Sequence, residues 1–486
     1  MAVEKINSLV IKKWNCLTQQ HCNILLKQVT NEEVKKALFD IPGTKSPGPD
    51  GFGSQFYKDA WHIIGDEVTS AIQSSYDSGM ILKQLNSTTI ALIPKIGHPE
   101  NVTQFRPIAC CNTLYKTLMK VLCARLNIIL PEIINPTQSA FIKGRDIVGN
   151  VLICQDLIRL YGRGTCSPRF LMKLDLHKAY DTVEWSFIED ILVDLGFPAR
   201  IKNLIMQCVS TPTYTFSING DTFGFVKGRR GLRQGDPLSP LLFTICLEYL
   251  SRLLTLIQRS TKFRFHPLCK NLQLNHLSFA DDLILFSKGD LRSDRLIWYA
   301  FNRFSKASGL NLNIQKSNFY CNGMNQDSID QITNFTGIKR GFLPFKYLGI
   351  NISSKRLSVQ DCNVLVEKLT SRIRGIGFRK LSYAGRTVLI RTVLCTLHSY
   401  WARIFIIPTS VIKKIEMICR RFLWSGQDNG DGMALVSWDS ICKPLKQGGL
   451  GIRDFQSWNK SALAKYVWWI SEKKDTRWFK WVNSII

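Results

Sequence analysis

A chain of 486 residues with 45% hydrophobic and 11% aromatic residues can bury a real core, which excludes global disorder and makes roughly two to four subdomains the expectation. Sixty-four Lys+Arg against thirty-seven Asp+Glu leave a formal charge of +27, a self-repulsion that a polyanion would offset, so nucleic acid is the expected class of partner. The fifteen scattered cysteines contain no Cys-x-x-Cys and read as small buried hydrophobes of a reducing compartment, and Cys16, His21 and Cys22 fit no common zinc spacing.

In chain order, Thr30 with Glu33 forms a capping-box pattern before a helix over Val34–Phe39. Lys45-Ser46-Pro47-Gly48-Pro49-Asp50-Gly51 must be a loop, and a second helix is expected from Gln55 to Ser78. Thr88 to Lys95 reads as a strand stopped by Pro94, and Leu114 to Ile129 as a helix. Phe170 to Leu176 is a short buried strand, after which Asp181 and Glu184 are the expected cap of a helix ending at Gly196. Two alternating runs around Asn219-Gly220-Asp221 predict a hairpin, and Leu241 to Leu254 a helix. His276–Phe279 and Leu283–Phe286 flank Ala280-Asp281-Asp282 as strand, turn and strand. Phe345 to Ile352 is one more strand or hairpin, and the helical pattern returns beyond residue 354.

No signal peptide is expected, because Glu4, Lys5, Lys12 and Lys13 interrupt the first apolar stretch. The most apolar candidate for a membrane span, Val393 to Ile407, contains His398 and Arg403 and falls short of about 18 apolar residues. An intracellular, membrane-free protein is therefore expected, with nuclear or cytoplasmic residence left open.

Asp175 ends an apolar strand, and Asp281 with Asp282 occupies an apolar hairpin. Carboxylates at such places are costly to bury unpaired, and a shared divalent cation would offset their repulsion. By itself, an Asp-Asp pair in a hairpin is more often a solvated turn, and Asp175 is as readily a cap. The surrounding segments decide between these readings.

The ordered set resembles the reverse-transcriptase family, most closely the polymerases of plant non-LTR (LINE-type) retrotransposons. It runs from the 45–51 loop through Leu92-Ile93-Pro94-Lys95, Phe105-Arg106-Pro107-Ile108 and Gln138-Ser139-Ala140-Phe141 with Gly144-Arg145. Lys173-Leu174-Asp175-Leu176-His177-Lys178-Ala179-Tyr180-Asp181 and the Gly231 to Pro240 segment follow. Phe279-Ala280-Asp281-Asp282, Gly309 to Asn313 with Lys316-Ser317, and Phe345 to Gly349 complete the order.

The resemblance implies an α+β, right-hand polymerase fold: an N-terminal helical extension over 1–75, fingers and an antiparallel-sheet palm over 76–353, and a helical thumb-like region over 354–486. It implies RNA-directed DNA synthesis by two-metal nucleotidyl transfer, on an RNA template with a DNA primer and dNTPs. Asp175, Asp281 and Asp282 match the metal triad, expected to converge around two Mg2+ ions, with Mn2+ as an alternative. Leu176 matches the backbone ligand, and Tyr180 the ring beneath the sugar that excludes a 2′-hydroxyl. Gln234 and Gly235 match the loop beside the nucleotide, with Lys227, Arg229, Arg230 and Arg233 expected as a phosphate-facing rim. Lys95 and Arg106 match cations that grip the triphosphate. Lys316 matches a general acid for pyrophosphate, and Tyr347, Leu348 and Gly349 the primer grip. Lys413, Lys414, Arg420 and Arg421 are expected to track a nucleic-acid backbone, whereas Trp438, Trp458, Trp468 and Trp469 are expected to pack a core.

Elements of this kind usually carry an endonuclease before the polymerase, so the sequence is expected to be a polymerase core from a truncated element. Two other readings stand beside polymerase activity: an inactive polymerase-fold relic, and a maturase-like RNA-binding protein.

Overall fold

The computed structural model describes residues 4–159, 161–162, 167–375, 381–426 and 435–485. The chain divides into two compact units, one built from residues up to Asp146 with Ser167–Arg340, the other from Ile147 onward to residue 162 with Gly341 to residue 485. This division crosses the expected boundaries at 75 and 353: the N-terminal helices join the first core, and the helix Ile147–Ile158 joins the C-terminal unit.

The strands in chain order are β1 (Ser87–Pro94), β2 (Phe105–Cys111), β3 (Arg169–Asp175), β4 (Thr213–Ile218), β5 (Asp221–Lys227), β6 (His276–Phe279), β7 (Asp282–Ser287), β8 (Asn318–Asn322), β9 (Lys339–Arg340), β10 (Phe345–Tyr347) and β11 (Ile350–Ile352). In the first unit a four-stranded sheet has the order β2-β1-β4-β5, with β1 and β4 parallel. A five-stranded sheet has the order β6-β7-β3-β8-β9. Mixed helix and sheet content makes the fold α+β.

Local chemistry explains most elements. Thr30 and Glu33 do form the capping box that starts the helix Asn31–Phe39. Asn219 (φ 54°) and Gly220 (φ 95°) supply the two positive φ angles that a tight β4–β5 turn requires. The 45–51 loop lies against the start of the helix Thr113–Ile133, where Asp50 N–H donates to Asn112 Oδ1 (3.3 Å) and Lys116 Nζ to the Ser46 carbonyl (2.9 Å). A Cβ on Gly48 would collide with Asn112.

Three expectations are corrected. The helix foreseen over 55–78 is two, Ser54–Asp59 and Trp61–Ser78, because Ala60 (φ −87°, ψ 4°) leaves the helical region. Glu184 holds the N-cap position of the helix Trp185–Asp194, but neither expected side chain makes a cap bond: Asp181 accepts from Gln234 Nε2 (3.1 Å), and the Glu184 carboxylate faces Arg230 (3.5 Å). Among the described residues the helix long and apolar enough to span a membrane by length and composition is Ser239–Gln258, not the 393–407 stretch. It is a core helix, largely buried, with Glu248 and Arg252 paired at 2.8 Å in its interior.

The core sets the site. Phe170, Met172 and Leu174 of β3, with Leu283 and Leu285 of β7, pack into the first unit's core beside Phe187, Tyr249 and Phe304. Each such buried side chain contributes on the order of 1.5–3 kcal/mol. Strand alternation then sends Lys173 and Asp175 to the opposite face. The second unit holds the β10–β11 hairpin and the C-terminal helices, among them Thr409–Ser425, whose Val411, Ile415, Cys419 and Phe422 are buried while Lys413 and Lys414 are exposed. Most of the described cysteines are buried and none is in a disulfide; Cys166 lies outside the described residues.

Candidate active site

β3 and β7 are antiparallel in a register that pairs Asp175 directly with Asp282, while Phe279 and Asp282 close the β6–β7 hairpin around Ala280 and Asp281. Opposed residues of an antiparallel pair share one face, so Asp175, Lys173 and Asp282 form a charged patch at the end of the sheet. Lys173 Nζ lies 3.8 Å from Asp282 Oδ1. Burial, with the Asp175 charge next, raises the Asp281 carboxyl above the ordinary aspartate range. Burial also raises Asp282, where Lys173 opposes the shift and the charges of Asp281 and Asp175 add to it. Asp281 is crowded by protein on one side yet open to water, and that open side screens its shift.

The three carboxylates do not form a metal cage of their own. Among the described residues no three Asp, Glu, His or Cys side chains gather closely enough to hold a metal by themselves. The Lys173 ammonium beside Asp282 offsets part of the mutual repulsion, and all three carboxylates remain electrostatically coupled. The donor set nevertheless suits a hard divalent cation, since Mg2+ takes one or two carboxylates and completes its shell with water and substrate phosphate rather than an all-protein cage.

The backbone beneath Asp175 is tied from both sides. Asp175 N–H donates to Ser317 Oγ (3.0 Å), and the Asp175 carbonyl accepts from Asn313 N–H (2.8 Å). Leu176 is buried and bridges Leu312, and His177 N–H donates to the Asn311 carbonyl (2.8 Å). The Gly309–Ser317 segment thus seats the first carboxylate and carries the exposed Lys316 next to Ser317.

Tyr180 stacks on Phe243 (5.0 Å between centroids, 18° between planes). Burial and then the Asp281 charge push its hydroxyl up to about 12, so the phenol is neutral at ordinary pH. Leu232 N–H donates to the Tyr180 carbonyl (2.6 Å), and Gly231 N–H to that of Val183 (2.7 Å). Gly231 (φ 88°) lies so close that a Cβ there would stand 2.8 Å from the Asp181 carbonyl oxygen, which glycine alone tolerates. The Gln234 carbonyl accepts from Ala109 N–H (2.7 Å), and Gly235 (φ 108°) is exposed. The Gly231–Asp236 segment therefore links the two sheets of the unit.

Arg233 does not belong to a phosphate-facing rim. It is buried: Nη2 pairs with Asp236 Oδ2 (3.1 Å), Tyr115 and the Cys208 carbonyl (2.9 Å), and Nη1 donates to Thr88 Oγ1 (3.0 Å). Lys227 and Arg229 are exposed, and so is Arg230 beside Glu184. Arg106 is exposed on β2 opposite Ile93, and Lys95 Nζ donates to the Thr103 carbonyl (2.9 Å).

The expected primer-grip residues lie in the second unit, in the tight turn of the β10–β11 hairpin, with Leu348 (φ 48°) and Gly349 (φ 83°) between the strands. Tyr347 is buried there and the Leu348 carbonyl accepts from Tyr400 (2.7 Å). Of the tryptophans, Trp438 is buried, Trp458 lies under the Arg453 guanidinium (4.1 Å), Trp469 is flanked by Lys465 (4.1 Å), and Trp468 is exposed. Trp468 thus departs from the expected core packing.

Sequence reasoning did not single out Lys173 and Ser317. Period-two alternation from Asp175 signals the first; the second, 142 residues away, had no local signal.

The family "Reverse transcriptase (RNA-dependent DNA polymerase)" matches residues 93–352, which include every residue described above around Asp175 and Asp281. The transposon TX1 uncharacterized 149 kDa protein of Xenopus laevis is 28% identical over 441 residues, covering 87% of this chain and 32% of that protein. The retrovirus-related Pol polyprotein from the type-2 retrotransposable element R2DM of Drosophila melanogaster is 25% identical over 444 residues, covering 87% and 39%. An uncharacterized mitochondrial protein of Arabidopsis thaliana is 48% identical over 68 residues, 14% of this chain and 56% of that one. The chain spans well under half the length of the Xenopus and Drosophila relatives. With a carboxylate pair registered across an antiparallel sheet, and a family match over more than half its length, the chain belongs to the reverse transcriptase (RNA-dependent DNA polymerase) family.

Proposed function

We propose that this chain is the RNA-directed DNA polymerase part of a non-LTR retroelement protein, extending a DNA primer on an RNA template with dNTPs. The observation that carries the reading is the Asp175–Asp282 register with Asp281 at the adjoining turn, inside the family-matched segment. In this reading the five-stranded sheet is the palm, the β2-β1-β4-β5 sheet belongs to the fingers, and the helices beyond residue 354 are thumb-like. The short match to the Arabidopsis protein supports a plant-type element.

Asp175 and Asp281 would hold two Mg2+ ions, with Asp282 and the Leu176 carbonyl assisting; Mn2+ could substitute. When bound, such ions make a primer hydroxyl more acidic and neutralise charge on leaving phosphate oxygens. The protein's own residues do the rest. Lys173 limits the repulsion among the carboxylates, so that the patch persists before any cation arrives. The Tyr180 ring, fixed by stacking on Phe243, closes the space beneath a sugar and disfavours a 2′-hydroxyl. Gln234 and Gly235 present a backbone that a nucleotide can approach closely. Arg106, with Lys95, would contact the triphosphate, and Lys316 would deliver a proton to the departing pyrophosphate. Leu348, Gly349 and the backbone of the buried Tyr347 would serve the primer, and Lys413, Lys414, Arg420 and Arg421 a nucleic-acid backbone.

The test is extension of a labelled DNA primer annealed to RNA, with dNTPs and Mg2+, by wild type and Asp281→Ala. Extension by wild type alone is expected. Equal failure of both, with RNA binding intact, would favour the relic or maturase-like reading.

A further inference from the structure

Gln138 lies 142 residues before Ala280, in the Gln-Ser-Ala-Phe segment to which the proposed mechanism assigns no role. It is 1% exposed. Its side-chain oxygen accepts from two backbone N–H groups at once, Ala140 (2.9 Å) and Ala280 (3.2 Å). Two donors on one atom set the amide's orientation, because the NH2 end cannot accept from either. Its Nε2 is buried with no partner among the described residues. A residue present only to fill space would be apolar; this one bears an orphaned donor, and its oxygen alone is used.

The second partner matters most. Ala280 is the first central residue of the Asp-Asp turn, with φ 50°, a left-handed conformation that strains an L-residue and is usual for glycine there. Such strain persists only where surroundings over-determine the backbone. The Gln138 segment supplies that constraint. It pairs with Ser278 as a short parallel bridge: Ser278 N–H donates to the Thr137 carbonyl and Ser139 N–H to the Ser278 carbonyl, both at 3.0 Å. The segment is itself braced by Arg145, whose guanidinium donates to the carbonyls of Gln138 and Asn135 (both 2.7 Å), Ile134 (2.7 Å) and Pro131 (3.1 Å).

We infer that Gln138 is a positioning residue for the catalytic hairpin, its side-chain oxygen holding the left-handed Ala280 backbone and thereby the direction in which Asp281 and Asp282 face. The inference rests on the polymerase reading for its catalytic consequence, but the clamp itself does not. A displaced carboxylate slows the chemical step far more than it weakens template or nucleotide binding, and misplacement by about 1 Å costs roughly a hundredfold.

The experiment compares full-chain wild type, Gln138→Met, Ala280→Gly and the double variant. Methionine matches the volume and lacks the acceptor; glycine relieves the strain that the clamp offsets. Expected for Gln138→Met are unchanged primer–template affinity, a dNTP KM within about threefold, and an extension rate at saturating dNTP lower by roughly ten- to a hundredfold. Adding Ala280→Gly restores most of the rate, which repair of a merely structural defect at Gln138 would not do. Hydrogen exchange read on peptides covering residues 277–283 should quicken in Gln138→Met, with the β3 peptides unchanged. Wild-type extension rates in Gln138→Met, no recovery in the double variant, or unchanged exchange at 277–283 would each overturn the inference. If wild type itself extends no primer, the polymerase reading fails while exchange still decides the clamp.

Discussion

Replacing Arg233 by methionine separates a buried structural role from contact with phosphate. In the structure the guanidinium pairs with Asp236 (3.1 Å), stacks over Tyr115 (4.2 Å) and donates to Thr88 and the Cys208 carbonyl. Methionine retains most of the volume but leaves the Asp236 carboxylate buried, with the Tyr115 hydroxyl (2.5 Å) and Leu238 N–H (2.9 Å) as its remaining donors. Breaking one side of a buried pair costs about 3–5 kcal/mol. The first unit has roughly three hundred residues; at about 2.1 cal/mol/K of unfolding entropy per residue, its thermal midpoint should fall by roughly 5–8 °C. The assay is thermal unfolding followed by circular dichroism, with primer–template affinity measured in parallel at several salt concentrations. Adding Asp236→Asn should recover part of the loss, because neutral groups in place of a buried pair avoid the unpaired charge. The reasoning is refuted if the midpoint holds while affinity falls and the salt dependence drops by nearly one counterion, the signature of a lost phosphate contact.

Four further substitutions have expected outcomes. Asp281 and Asp282 titrate above the ordinary aspartate range in the folded chain, so their ionisation opposes folding; the penalty is absent below that range and complete above the raised values. Asp281→Asn should therefore raise the metal-free thermal midpoint at pH 7 slightly, the open side of Asp281 limiting the gain, with the gain shrinking as pH falls toward the ordinary aspartate range, while primer extension is lost. Tyr180→Phe should preserve extension, since the hydroxyl is neutral and the ring stacks. Tyr180→Val should raise the relative use of ribonucleotides by about ten- to a hundredfold in competition assays, and an unchanged ratio would remove the ring from sugar selection. Lys316→Met should lower the maximal rate about ten- to a hundredfold with little change in dNTP KM, and an equal effect on KM would indicate a binding role.

The elements legible in the sequence are those whose cause is local. Asn219-Gly220 dictates its turn through positive φ, Thr30 and Glu33 start their helix through a reciprocal cap, and apolar runs on both sides of Ala280-Asp281-Asp282 make a hairpin. Order of motifs along the chain was likewise enough to indicate the family. Charge was a poorer guide to place: Arg233, in a run of basic residues, reads as solvent-facing, yet packing around Tyr115 and Asp236 buries it. Whether a cation meets phosphate or a buried carboxylate depends on desolvation, which no short window of sequence encodes. The same limit hid the Ala60 break between two helices and the parallel pairing of β1 with β4. It also hid Ser317 beneath Asp175 and Gln138 on the turn that carries Asp281. Periodicity determined that a carboxylate hairpin would form and composition that the chain would be basic, while the α+β fold was implied by the family resemblance. Only the tertiary structure decided that Asp175 would face Asp282 and that Lys173 would pair with Asp282, because β3–β7 register is set by burying Phe170, Met172 and Leu174 against residues over a hundred positions away.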